Sequence, residues 1–262
     1  MDYIDIKALS YSGAKNLLRS PAHYQAWLTA EQKDTPALKL GRLAHLAALQ
    51  PDLCRETVFV APDCDRRTKA GKETYEAFVS GLPLNAEVID ADTAEKIAGI
   101  AKAAHGAFAK LGVSKEHYIA EQAVFGQMNG VDIKGRPDLV TKIEGSDAEY
   151  IIDIKTCQSA DHESFARDVA NYKYHLQAAF YGALRNTGRN FIIVAIEKEP
   201  PYAWRIYTLN EETYQMGVKL MNEAVNIYKM CNLFNTWSGY TQEVSELTLP
   251  KWAINLNAGL IE

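Results

Sequence analysis

Apolar side chains recur at helical spacing through the first third of the chain, then give way near residue 118 to short β-rich runs divided by turn residues. Ser10 to Leu18 predicts a helix that stops at Ser20-Pro21, and Thr35-Pro36 opens another that runs to about Leu49, before Pro51. Arg66 to Val79 and Asp92 to Phe108 read as two more helices. Tyr118 to Phe125, Asp132 to Lys134, Asp138 to Ile143 and Glu149 to Ile154 predict strands, with turns at Asn129-Gly130 and Gly145-Ser146-Asp147. Their order predicts a small antiparallel meander. One helix is expected from Asp161 to about Arg185, then strands Phe191 to Glu197 and Tyr202 to Leu209 on either side of Pro200-Pro201, then a long helix from about Glu211 to Leu233. No repeat or flexible linker interrupts the pattern, which predicts a single α/β domain over residues 1–262. Residues 1–110 form its mainly helical part, 111–235 its core, and 236–262 an irregular tail rich in Asn and Leu from Trp237 onward.

Composition narrows the class. Of 262 residues, 47% are hydrophobic and 23% charged, ordinary for a soluble globular protein. The longest apolar runs, such as Phe191 to Ile196, fall far short of the roughly 20 residues of a membrane helix, so no membrane partner is expected. The opening Met1-Asp2-Tyr3-Ile4-Asp5-Ile6 carries acids where a secretory signal carries basic residues, which favours a cytoplasmic location. Cys54, Cys64, Cys157 and Cys231 are scattered, against a zinc ribbon or disulfide framework. The net charge of −5 excludes a protein that coats nucleic acid by bulk charge. Any contact with DNA must be local, and the densest basic segment is Arg66-Arg67-Thr68-Lys69-Ala70-Gly71-Lys72. Such a run is commonly a solvated helix face, and gains interest only beside a phosphate-cutting site.

Candidate chemistry begins at Gly135-Arg136-Pro137-Asp138, followed fifteen residues on by Asp153-Ile154-Lys155 at the end of an apolar strand. Side chains two apart on a strand share a face, so Asp153 and Lys155 address one site while Ile154 turns into the core. Two carboxylates converging from adjacent strands are hard oxygen ligands of the kind Mg²⁺ prefers. A neighbouring lysine can hold the attacking water and offset transition-state charge. The plainer alternative is a Pro-Asp turn and a frayed strand end. Gln177 and Tyr181 stand four apart on a predicted helix, with Tyr174 on the same side, either lining a cleft or bordering the core. His45 lies late in an apolar helix, and Gly41 four positions earlier would let another segment approach that face.

In that order, Gly41-x-x-x-His45, Gly135-Arg-Pro-Asp138, Asp153-Ile-Lys155-Thr and Gln177-x-x-x-Tyr181 resemble the RecB-type branch of the PD-(D/E)XK nuclease superfamily. Leu9-Ser10-Tyr11-Ser12, Ser20-Pro21-Ala22-His23-Tyr24, Asp65-Arg66-Arg67-Thr68-Lys69-x-Gly-Lys72 and His175-Leu176-Gln177-Ala178-Ala179-Phe180-Tyr181 are closer still to the RecE-type exonuclease group of prophage origin, exonuclease VIII. The resemblance covers about residues 9–210 and implies the nuclease core: a central mixed sheet flanked by helices, with a helical N-terminal elaboration. It implies a metal held by Asp138, Asp153, the Ile154 main-chain carbonyl and His45, with Glu121 a further candidate. Lys155 would position the water, Gln177 and Tyr181 would orient substrate or lysine, and Arg66, Arg67, Lys69 and Lys72 would meet DNA. The metal would be Mg²⁺, with Mn²⁺ as a substitute. The iron–sulfur cluster of some related nucleases is not expected, since its close-spaced late cysteine trio is missing.

The activity implied is exonucleolytic hydrolysis of linear double-stranded DNA from 5′ ends, leaving 3′ tails for recombination. A homotetrameric ring and a single-strand annealing partner of the RecT type are carried by the same resemblance. The rivals are a related nuclease of other polarity or single-strand preference, and an inactive DNA-binding module that keeps the fold.

Overall fold

The computed structural model describes residues 3, 6–31, 34–251 and 253–254. Parts of the acidic N-terminus and of the expected irregular tail (1, 2, 4, 5, 252 and 255–262) therefore lie outside the described residues, while 237–250 carry no helix or strand.

Strand β1 (Leu9–Ser10) leads directly into α1 (Tyr11–Leu17), because the Ser10 hydroxyl accepts from the Gly13 N–H and caps the helix. The first helix stops before Ser20-Pro21 as expected, and Ser20 then caps a second helix that the pattern did not show, α2 (Pro21–Thr29), with proline at its first turn. Thr35-Pro36 opens α3 (Pro36–Leu49) as expected, and Pro51 opens α4 (Pro51–Thr57), which runs into β2 (Val58–Val60). The basic segment does not begin a helix at Arg66. Thr68 is the cap of α5 (Lys69–Ser80), and a Cβ on Gly71 would meet the Asp65 carbonyl at 2.1 Å, so Arg66 and Arg67 belong to a tight loop laid on the helix. Then come β3 (Glu87–Ile89), parallel to β2, and α6 (Ala91–Leu111), capped by Asp90.

The predicted meander is divided between two sheets. Expected strand 118–125 breaks into β4 (Tyr118–Ala120) and β5 (Val124–Met128), with Glu121 between them at φ 53°. That left-handed residue, rare outside glycine, turns the chain out of one sheet and into the other. β5 pairs with β6 (Val131–Gly135), which takes β1 as a parallel neighbour, giving the order β1-β6-β5. β4 pairs instead with β7 (Leu139–Lys142), and β7 with β8 (Glu149–Cys157).

The single helix expected over 161–185 is also two. Lys173 at φ 58° separates α7 (His162–Tyr172) from α8 (Tyr174–Arg185), capping the first and re-aiming the second. Strands β9 (Phe191–Glu197) and β10 (Trp204–Thr208) complete the larger sheet, in the order β10-β9-β8-β7-β4, and α9 (Glu211–Phe234) closes the described elements. Only β8 and β9 are parallel, so the sheet is mixed. Its two faces follow the period of the strand. Ile151 faces the core shared with Leu176, Phe180 and Val225 of α8 and α9, while Ile152 and Ile154 face Ala44 and Ala48 of α3 and Ile100 and Ala104 of α6. β8 is thus covered on both sides along its middle, and the Asp153 side chain there is held away from bulk water. Among the described residues, no helix is long and apolar enough to cross a membrane.

Candidate active site

Three carboxylates stand in a row across the ends of adjacent strands. The register pairs Ala120 with Leu139 and Leu139 with Ile152, so Glu121, Asp138 and Asp153 occupy successive positions beyond β4, at the foot of β7 and within β8. Main-chain bonds fix this row. The Glu121 N–H donates to the Asp138 carbonyl at 3.0 Å, and the Ile154 N–H donates to Asp138 Oδ2 at 2.8 Å. Asp153 is wholly buried and Asp138 nearly so.

Each neighbour of Asp153 comes from a different part of the chain. Lys155, two residues on along the same face, forms an ion pair with its Oδ2, and Gln177 of α8 donates from Nε2 to its Oδ1 at 2.7 Å. The lysine ammonium also lies over the Tyr174 ring, 4.9 Å from its centre. Tyr181, one turn beyond Gln177, donates from its hydroxyl to the Arg136 carbonyl at 3.2 Å, tying α8 to the turn that carries Asp138. On the opposite side α3 approaches β8: a Cβ on Gly41 would touch Thr156 Oγ1 at 3.5 Å, and His45 brings Nδ1 to 3.3 Å from Asp138 Oδ2. The Ile154 carbonyl is a further hydrogen-bonding neighbour of this imidazole.

The electrostatics of this cluster are strained. Burial, reinforced by Asp138, pushes the Asp153 carboxyl up to about 6, and burial with Asp138 pushes Glu121 up to about 7. Asp138 is raised by burial too. Burial and the Lys155 cation hold the His45 imidazole down at about 4, so it stays neutral with a lone pair to offer. Burial opposes the charge on Lys155, but Asp153 and Asp138 outweigh it and the ammonium is stabilised. Carboxylates forced together where desolvation disfavours their charge indicate a deficit of positive charge that a divalent cation would relieve.

The donor set fits such an ion. His45, Glu121 and Asp138 each offer a ligand atom, all within 4.8 Å of one another. This set includes Glu121, the further candidate, and not Asp153, whose oxygens are taken by Lys155 and Gln177. Hard carboxylate oxygens with one imidazole suit Mg²⁺ or Mn²⁺ better than a soft metal.

Three of the four basic residues have contacts elsewhere. Arg66 lies over Tyr75, Arg67 pairs with Asp65, and Lys69 reaches Glu73 at 3.8 Å, all at the surface. Arg66 nevertheless shares a cleft of about 1010 Å³ with Lys39, Lys96, Lys198 and Gln158, the last following directly on β8. Sequence reasoning missed Arg136, Tyr11 and Lys15. Arg136 Nε stands 3.2 Å from Glu121 Oε2, Tyr11 lies in the field of Lys155, and Lys15 stands over the Tyr11 ring. Arg136 and Tyr11 fall inside quoted motifs, which was the available signal; Lys15 falls outside them.

Residues 10–248 match the family described as "PDDEXK-like domain of unknown function (DUF3799)". Among solved structures, a protein of Eubacterium rectale described as a "putative exonuclease" superposes with a TM-score of 0.59 over 97% of this chain and 94% of that one, at 17% identity. A phage related exonuclease from Haemophilus somnus 129PT gives a TM-score of 0.37 at 13% identity, over 87% of this chain and 96% of that one. No curated protein sequence matches. The family match identifies the mixed sheet and its helices as the PD-(D/E)XK nuclease core.

Proposed function

Because the chain belongs to the PDDEXK-like family DUF3799, we propose that it is a divalent-metal-dependent exonuclease that hydrolyses linear double-stranded DNA. The observation that carries this reading is the convergence of Asp138, Asp153 and Lys155 on adjacent strands, with His45 closing the site from α3. An inactive binding module would have no need of buried carboxylates held at a cost in desolvation.

His45, Asp138 and Glu121 would hold the ion, with Asp153 and the Ile154 carbonyl as the remaining donors once Lys155 turns toward substrate. A bound Mg²⁺, or Mn²⁺ in its place, supplies Lewis acidity toward a phosphate oxygen and a more acidic water. The chain's own groups do the rest. Lys155, kept charged by two carboxylates, orients the attacking water and offsets the negative charge that grows on the phosphate as the P–O bond to the leaving sugar breaks. Gln177 fixes the Asp153 carboxylate, and the Ile154 N–H fixes Asp138, so neither has to reorganise during attack. Tyr181 holds the Arg136-Pro137-Asp138 turn in register with α8.

Attack from 5′ ends, a tetrameric ring around the duplex and delivery of 3′ tails to a single-strand annealing protein belong to the same proposal, supported by the RecE-type motifs. Digestion of a linear duplex labelled at either 5′ or 3′ ends, with and without Mg²⁺, is the test. Metal-dependent release of 5′-terminal nucleotides is expected. An absence of metal-dependent cleavage would leave only a binding module.

A further inference from the structure

Beside the reaction centre lies an open trough of about 670 Å³, between the N-terminal segment, α1, α2, the end of β6 and the last turns of α9. Its walls are unusually aromatic. Tyr3, Tyr11, Trp27, Tyr228 and Trp237 line it, and each keeps part of its surface open. Trp27 and Trp237 flank the buried Tyr24 with ring centres at 6.1 and 5.5 Å, which sets both indoles on a rigid support. Lys7, Ser12, Gln25 and Asn232 place a cation and hydrogen-bonding groups among the rings. Leu28 at the same wall is 53% exposed.

Core aromatics of this protein behave differently. Phe165, Phe180 and Phe191 are fully buried, as close packing requires, whereas the trough leaves room for a ligand. The trough also borders the candidate catalytic centre. Gly135 and Tyr181 belong to its wall, Tyr181 is bonded to Arg136, and Asp138 follows two residues later. A Cβ on Gly135 would come within 2.8 Å of the Tyr181 ring, so glycine is what lets this wall close beside the site.

We infer that this trough holds unpaired nucleobases of a single DNA strand, stacked on the Trp27 and Trp237 indoles while their phosphates run toward the catalytic carboxylates. The inference rests on the nuclease reading above and specifies the form of the substrate at the site. Ring faces, rather than a basic surface alone, are what bind single strands without regard to sequence. Inside a duplex a base shows only its edges in the grooves, so beyond the terminal pair duplex cannot use these faces. The strand must therefore be unpaired where it crosses the trough.

Of four tryptophans, Trp204 and Trp252 can be replaced by phenylalanine so that emission reports Trp27 and Trp237 alone. Titration with an eight-nucleotide oligothymidylate in EDTA, where nothing is cut, should quench that emission. Trp27→Leu and Trp237→Leu, made in the natural sequence and followed by anisotropy of a labelled oligothymidylate, should each weaken binding by about ten- to a hundredfold, the range for loss of one stacking platform. Trp27→Phe, which keeps a ring, should recover most of the affinity, which a merely misfolded variant would not. The same preparations are assayed for Mg²⁺-dependent cleavage of linear duplex. Quenching and strand binding without any cleavage would sink the nuclease reading and leave the trough standing. Cleavage by the parent, with strand affinity unchanged in both leucine variants, would overturn the trough, as would equal quenching by a hairpin duplex closed at both ends; occupation by a peptide or a second copy of the chain would give the former result.

Discussion

Gln177 Nε2 lies 2.7 Å from Asp153 Oδ1, a bond between the first turn of α8 and the middle of β8 with both partners buried. It couples the orientation of a candidate metal-site carboxylate to the packing of a helix. Gln177→Ala should therefore preserve the fold and cost about 10- to 100-fold in metal affinity or cleavage rate, the usual range for a group that orients a ligand. Calorimetric titration with Mn²⁺ beside a cleavage assay measures both. Parental values in both would show that Asp153 is held without the amide.

Lys155 and the aspartates should separate in kinetics. Asp138→Asn removes a carboxylate ligand and should abolish metal binding and cleavage together, since an amide oxygen ligates far more weakly. Asp153→Asn should act likewise. His45→Ala should be milder, because water can replace one neutral donor. Lys155→Ala should bind metal as well as the parent or more tightly, because its ion pair with Asp153 is gone. Its single-turnover cleavage should fall by about two to four orders of magnitude. Near-parental cleavage by this variant would remove the lysine from the mechanism.

The raised carboxylates predict an unusual pH response in metal-free protein. A carboxyl whose folded pKa is about 6 binds its proton more tightly folded than unfolded, so its contribution to stability declines as pH rises from the unfolded value through about 6. His45, depressed to about 4, acts in the opposite sense and gains stability over part of that range. The difference between parent and Asp153→Asn isolates the carboxyl. In EDTA the parent should melt progressively lower relative to the variant as pH is raised from about 4 to 7, and saturating Mg²⁺ at pH 8 should restore the parent alone. A difference in melting temperature that stays flat across this range would refute the assignment.

The basic segment is the simplest to test. Arg67–Asp65 and Lys69–Glu73 are exposed pairs, worth little in water and readily exchanged for phosphate contacts. Replacing Arg66, Arg67, Lys69 and Lys72 with alanine should flatten the salt dependence of duplex binding, each lost contact lowering the log–log slope by roughly 0.9. Metal affinity should not move. An unchanged slope would reduce the segment to a solvated surface.

A ring enclosing the duplex would make topology decide the substrate. Linear DNA should be degraded processively and covalently closed circles should survive, with a tetrameric mass in solution by light scattering. Efficient cutting of relaxed closed circles, or a monomeric mass, would argue for an open site.

Features that depend on local spacing were legible along the chain. Asp153 and Lys155 share a face because a strand repeats every two residues, and Gln177 and Tyr181 share one because four residues make a helical turn. Proline and glycine signals likewise placed α3 and β7 close to their observed limits, and helical periodicity did the same for α9, whereas β8 runs three residues past its expected end at Ile154. Which of these faces meet depends on long-range packing that local spacing does not encode. Lys173 and Glu121 adopt left-handed conformations that no local pattern required, and they split an expected helix and an expected strand. The first re-aims α8 so that Gln177 reaches Asp153; the second turns the chain between sheets and sets Glu121 beside Asp138 and His45. Such conformations cost energy locally and persist because packing on both sides of β8 over-determines them, a condition that exists only when the whole chain is in place.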